Sequence, residues 1–263
     1  MSRISIYTFS LILLHLLVSA GCSSKGGGSG QSSAAANQHG ATPGGLYFGT
    51  LSNGFIHNTL VLDKGQYYVF YGVSTTASLK LAGFIQGSAT NNNEKFVSSD
   101  LKDFFWDGSV SGGTLNATYT GSAFNGTLGK KDLNIYLTGT PLASAFYNYD
   151  VAPNIPDIAG AWTLTSLAGA ATTMKIDPNG TFTGNTGRCT YTGTLAPRAS
   201  GKNVFDVSLT FGGSPCSEPG LAVTGAAIDF LLSDGVTRQL IMAGVTATRE
   251  QGTAIFGTRS PPK

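Results

Sequence analysis

The run Val204-Phe205-Asp206-Val207-Ser208-Leu209-Thr210-Phe211-Gly212-Gly213 decides how the rest of the chain is read. Phe205, Val207, Leu209 and Phe211 alternate with Asp206, Ser208 and Thr210, which puts one face of an extended strand in a core and the other toward water; the glycine pair ends the run. The same period of two sets Leu79, Leu81 and Ile85 against Lys80, Ala82 and Gln86, and Leu133, Ile135 and Leu137 against Asp132, Asn134 and Tyr136. Turn chemistry falls between such runs at Asp63-Lys64-Gly65, Asn125-Gly126, Pro178-Asn179-Gly180 and Asp234-Gly235. Short alternating strands at regular spacing predict an all-β chain of tandem small antiparallel β-barrel or sandwich domains. Ser98–Phe104 reads instead as a short helix, from its N-cap serines, early acids and the three-residue spacing of Leu101 and Phe104.

The β body repeats. Gly45-Leu46-Tyr47 has a counterpart in Gly160-Ala161-Trp162, Leu62-Asp63-Lys64-Gly65 in Ile176-Asp177-Pro178-Asn179-Gly180, and Gly83 in Gly193. Matches in order at an offset of roughly 110 residues indicate two related β domains. Val151–Asp157 holds two prolines and no alternation, so it is the seam between a domain at 45–150 and one at 158–259, expected to be separable, with a tail at 260–263. Residues 22–44 are rich in Gly, Ser and Ala, too poor in apolar surface to offset their ordering entropy, and read as a disordered linker.

Ahead of that linker, Arg3 precedes a largely apolar run from Ile4 to Val18 and small residues follow, the layout of a secretory signal over residues 1–21. The run falls short of the roughly 20 residues that a permanent membrane-spanning helix needs. Ser19-Ala20-Gly21-Cys22 resembles the lipobox of bacterial lipoproteins, with Ser19 standing where Leu is more usual. The resemblance implies cleavage before Cys22, whose thiol then carries a diacylglycerol, with palmitate among the fatty acids of the anchor. Ordinary cleavage after Ala20 or Gly21 would leave an odd exposed thiol with no visible use. Because Ser23 rather than Asp follows Cys22, the resemblance further implies an outer-membrane anchor, with the body periplasmic or surface-exposed.

Charged residues make up only 11% of the chain, against a usual figure of about 25%. Without residues 1–21 the charges nearly cancel, since Arg3 is the one charged residue lost. No basic face is laid out for nucleic acid. With Cys22 acylated, Cys189 and Cys216 remain as a pair in an oxidising compartment and are expected to form a disulfide, buried free thiols being the alternative. His15, His39 and His57 all lie far from them in sequence, so no metal site is expected, and no motif calls for a cofactor.

Catalytic constellations are equally sparse. There is no Gly-x-Ser-x-Gly elbow, and Ser99-x-x-Lys102 lacks the companion elements that make such a pair a serine acylase. Asp100, Asp103 and Asp107 lack the close alternate spacing of a calcium loop. A carboxylate pair for glycan hydrolysis could come from distant strands, but Asp63, Asp107, Asp177 and Asp234 lie beside turn glycines, where Asp serves the turn. The reading is therefore non-catalytic.

Aromatic residues are the richest feature. Tyr67, Tyr68, Phe70 and Tyr71 occupy both faces of one strand, and Trp106 closes a second cluster with Phe104 and Phe105. One face of the strand must be core. The other packs on the second domain or, with Trp106, forms a surface for a protein or glycan partner. Lipocalin-like binding of a small apolar ligand inside a barrel is the alternative, set back because small barrels are filled by their own side chains. Cys22-Ser23-Ser24 with its glycine tract, together with Thr118-Tyr119-Thr120-Gly121 and Thr190-Tyr191-Thr192-Gly193, resembles two-barrel surface lipoproteins such as factor H binding protein and transferrin-binding protein B. That resemblance implies the architecture and transfers no partner-binding residue.

The lipobox reading predicts that Cys22→Ala moves the protein from the detergent to the aqueous phase in a partition experiment. Unchanged partitioning would refute acylation at Cys22.

Overall fold

A computed structural model describes residues 42–75 and 78–260; the signal segment, Cys22 and nearly all of the expected linker lie outside these residues. Its first half runs β1 (Gly45–Leu51), β2 (Ile56–Val61), β3 (Gln66–Thr75), β4 (Ser78–Ser88), β5 (Thr90–Asn92), β6 (Lys95–Phe105), β7 (Val110–Tyr119), β8 (Phe124–Lys130) and β9 (Leu133–Pro141). A one-turn helix α1 (Ile155–Ile158) follows, then β10 (Gly160–Ser166), β11 (Ala171–Ile176), β12 (Thr181–Thr186), β13 (Cys189–Pro197), β14 (Phe205–Phe211), β15 (Ala222–Leu231), β16 (Arg238–Val245) and β17 (Gly252–Arg259). The chain forms two closed antiparallel eight-stranded barrels in tandem. The first takes the order β4-β3-β2-β1-β9-β8-β7-β6 and closes through Phe84↔Phe104 and its neighbours, with β5 paired to β6 outside the ring. The second runs β10 to β17 in sequence and closes through Thr165↔Phe256 and Ser166↔Ile255.

Each barrel has its own filled interior. Tyr47, Tyr67, Tyr71, Phe96 and Phe124 pack inside the first and Trp162, Met174, Phe182, Phe205 and Met242 inside the second. A third cluster lies between them: Leu60, Tyr68, Phe70, Leu79, Phe84 and Phe104 of the first barrel against Ile228, Phe230, Ile241, Val245 and Phe256 of the second. Strands at this junction are buried on both faces, so β3 and β16 are apolar at consecutive positions, while β9 and β11 keep the strict alternation of strands facing water. Polar groups bridge the same junction. Gln239, buried on β16, receives the Leu79 amide and donates to the Leu79 carbonyl (3.2 and 2.8 Å), mimicking one rung of a β-ladder between the barrels. Arg249 donates to the Asp100 carboxylate and to the Gln86 and Asp100 carbonyls, and Arg198 bonds Asp63 at 2.8 Å.

The repeat holds at a constant spacing over the first three strands of each barrel. Tyr47 donates its hydroxyl to the Pro43 carbonyl at 3.0 Å, and Trp162 donates Nε1 to the Ile158 carbonyl at 2.7 Å, each reaching four residues back to cap its barrel. Gly65 and Gly180 end equivalent turns with φ of 79° and 85°, and a Cβ on either would strike a backbone carbonyl, of Ala89 or Leu195. Tyr67 and Phe182 then lie over glycines on the next strand, Gly87 and Gly193. Gly87, and not Gly83, is thus the counterpart of Gly193. Arg259 reinforces the second cap: its guanidinium stacks 4.2 Å over Trp162 and donates to the Ala159 and Asp157 carbonyls.

Two local expectations are corrected. Ser98–Phe104 is not a helix but part of β6, interrupted by a bulge between Ser98 and Leu101. Leu101 faces the barrel interior and Phe104 the second barrel, so both are apolar for opposite reasons, and their spacing imitates a helical period. Asn125-Gly126 is not a turn but lies within β8, and the chain reverses instead at Thr120–Ala123, where the Thr120 amide bonds the Ala123 carbonyl.

The seam expected at Val151–Asp157 falls in the connector between β9 and β10, but the barrels on either side share a core. Each large apolar side chain uncovered there costs about 1.5–3 kcal/mol. A fragment spanning 156–263 alone should therefore associate or melt without cooperativity, whereas residues 42–263 should melt in one cooperative step. Sedimentation and calorimetry of the two distinguish the outcomes, and a monomeric, cooperatively folded fragment would refute the dependence.

Candidate functional site

The five aromatic residues singled out from the sequence separate in the structure. Tyr67 and Tyr71 point into the first barrel; Tyr68 and Phe70 point out of it, into the shared core. All four are at most 5% exposed, so they form no interaction surface. The aromatic crowding on β3 reflects a strand with a core on each side. Trp106 alone is open, at 54% exposure.

Trp106 sits at the tip of the hairpin joining β6 and β7. The turn is closed by hydrogen bonds from the Gly108 amide to the Phe105 carbonyl and from the Phe105 amide to the Ser109 carbonyl, both 3.0 Å, with Gly108 at φ 84°. The Trp106 amide donates to the Ala82 carbonyl at 3.0 Å, anchoring the tip to β4. Asp107 accepts from the Ser109 amide at 2.9 Å, and hydrogen bonds from Ser109 hold its carboxyl below the ordinary range, so it is ionised at neutral pH.

The indole separates two grooves along the junction of the barrels. One, of about 260 Å³, is lined by Val73, Lys80, Leu81, Leu167 and Phe256. The other, of about 470 Å³, is lined by Phe105, Asp107, Leu167, Phe211 and Glu218. Both barrels contribute to each groove. Of the wall residues missed in the sequence, Val73 continues the aromatic run of β3 and is 47% exposed; Leu167 and Glu218 sit in loops whose composition carries no binding signal.

The Cys189–Cys216 disulfide is present. Cys189 opens β13, and Cys216 lies in the loop between β14 and β15, the segment that also carries Ser217 and Glu218 to the larger groove. The bond thus fixes a groove wall to the end of a hairpin.

Inside the first barrel, Tyr71 donates to Asp103 Oδ1 at 2.7 Å and Lys130 pairs with Oδ2. Burial, and next the Asp103 charge, push the Tyr71 phenol far above its ordinary pKa. Both carboxylate oxygens of Asp103 are engaged. His57 is likewise internal; burial lowers its pKa to about 4, and the neutral ring lies between the Thr138 carbonyl and the Thr59 hydroxyl. Ser99 and Lys102 lie on the bulged strand β6, and not one helical turn apart. Among the described residues no group of three or more His, Cys, Asp or Glu is placed to hold a metal ion.

No family model matches the chain, and no curated protein matches it. Among solved structures, a protein of unknown function from the DUF3598 family of Nostoc punctiforme is similar at 13% identity, over 84% of this chain and 96% of that one, with a TM-score of 0.26.

The disulfide closes a loop worth about 3.5 kcal/mol in the chain-entropy model. Replacing both Cys189 and Cys216 with Ser should lower the melting temperature by roughly 10 °C. Because the barrels share a core, calorimetry should show one transition moving as a whole. A shift confined to one of two resolved transitions would contradict that coupling.

Proposed function

We propose that this chain is a lipid-anchored, non-catalytic interaction module of the bacterial cell envelope, held in the outer membrane through Cys22 and engaging a protein partner along the barrel junction at Trp106. The anchor rests on the lipobox-like Ser19-Ala20-Gly21-Cys22. One observation carries the binding reading: the interiors and the shared core are packed with the protein's own side chains, while a large indole stays half uncovered between two grooves. An exposed tryptophan on a rigid turn, rimmed by polar groups, is the arrangement that anchors interfaces. Filled interiors weigh against a lipocalin-like small-ligand carrier, and Asp107 and Glu218 beside the indole weigh against nucleic acid.

A photo-cross-linking residue replacing Asp107 should give one discrete protein adduct in intact cells. Adding Trp106→Ala should remove the adduct without changing protein level or melting temperature. No adduct, or one indifferent to Trp106→Ala, would overturn the assignment.

A further inference from the structure

The two grooves beside Trp106 belong to one longer furrow, and its charges are sorted along it. The larger and the smaller groove share Trp106, Ser166, Leu167 and Ala168 as walls. A third concavity, of about 560 Å³, continues from the smaller one and shares Lys80, Gly169 and Phe256 with it. Its other walls carry mainly hydroxyls, from Thr75, Ser78, Thr163 and Thr258. The furrow therefore follows the barrel junction from the Glu218 loop, past the indole, to the start of β4.

Three zones succeed one another along it. At one end Asp107 and Glu218 are the only charged walls, and both are exposed. Hydrogen bonds from Ser109 keep Asp107 ionised. In the middle, Val73, Leu81, Trp106, Leu167 and Phe256 form an apolar stretch. Beyond it Lys80, also exposed, is the only charged wall of the remaining length. None of these three charged side chains is in an ion pair among the described residues. Each is free to meet a charge brought by an occupant.

A furrow of this form suits a linear occupant with side chains of differing character. A lipid chain would fill the middle and leave both ends unanswered, and the carboxylates repel nucleic acid. An extended protein segment answers every zone, because pockets along a strand receive alternate side chains while backbone amides meet the flanking hydroxyls. The indole and the apolar walls supply the affinity, and the charges at the two ends choose among segments and fix their register. We infer that the furrow takes an extended segment of the partner protein, with apolar side chains beside Trp106, Lys or Arg against Asp107 and Glu218, and Asp or Glu against Lys80. The inference rests on the protein-binding reading of Trp106 and names the chemistry of what binds there.

The full-length chain in phosphatidylcholine nanodiscs is screened against an immobilised library of random decapeptides whose capped ends carry no charge. Bound sequences should hold apolar residues with a basic side chain on one side and an acidic one on the other. Trp106→Ala should weaken them about tenfold. Glu218→Lys combined with Asp107→Asn, which keeps the acceptor in the turn, should turn the basic preference acidic; Lys80→Glu should turn the acidic preference basic. All three variants should keep the melting temperature. An absence of Trp106-dependent sequences, or a charge pattern indifferent to both changes, would overturn the inference, as would a Trp106-dependent adduct in cells that proves to be a second copy of this chain or a lipid. The two readings fail separately: a Trp106-dependent protein adduct in cells with an unpatterned library sinks the segment alone, and patterned peptides with no adduct in cells sink the cellular partner alone.

Discussion

The constraint on which the molecule depends is the apolar contact between the barrels. Phe84 and Phe104 stack with ring centres 4.8 Å apart, and Gly252 of the second barrel lies against both; a Cβ there would come within 2.6 Å of Phe104. Phe84 and Phe104 are also the rung through which β4 and β6 close the first barrel. Closure of one barrel and docking of the other are therefore one packing event. A methyl added at Gly252 would strain both, and the backbone of β17 can approach this closely only without a side chain there. The Gln239–Leu79 pair extends the same contact by satisfying backbone polar groups that the apolar junction would otherwise leave stranded.

Much of this was legible from residue order. Alternation in Val204–Phe211 became β14, and the glycine-led starts at Gly45 and Gly160 became the first strands of two equivalent barrels. The spacing from 47 to 162, from 65 to 180 and from 67 to 182 is constant because turn length and register leave no freedom over the first three strands. Beyond them the halves diverge, since β4 and β6 carry bulges, at Tyr71/Gly72 in the pairing with β3 and at Ser98/Leu101 in the pairing with β7. A bulge exchanges the inward and outward faces of a strand. Leu79 and Leu81 face the junction while Ile85 faces the barrel interior, although all three share odd positions. Periodicity cannot report such a change of face; β6 resembles a helix for another reason, because Leu101 and Phe104 are buried on opposite faces.

The site was less legible, for a different reason. Apolar residues at consecutive strand positions mean two buried faces, and Tyr67–Tyr71 satisfies that rule in full. A sequence shows the crowding but not whether the second face meets solvent or another domain. Trp106 differs from its neighbours only in occupying a turn tip, and Phe105, one residue earlier, is already partly buried. The rest of the furrow was less visible still, because Lys80, Leu167 and Glu218 come from a strand and two separate loops and converge only once the barrels are docked.

Docking thus does more than stabilise. A closed barrel whose interior is filled has no edge strands and no cavity to offer, so recognition must use its rims and loops. Placing two such barrels side by side creates a furrow that neither has alone. Its lining is aromatic and aliphatic around Trp106, with carboxylates toward Glu218 and hydroxyls with Lys80 toward β4. The disulfide braces the loop at the acidic end, and the hydrogen bond from the Trp106 amide to the Ala82 carbonyl braces the turn at the centre. The furrow is made rigid by contacts local to it, while its shape is set by the shared core. Changes in the loops can alter what it recognises without disturbing the barrels, provided Phe84, Phe104 and Gly252 keep their contact.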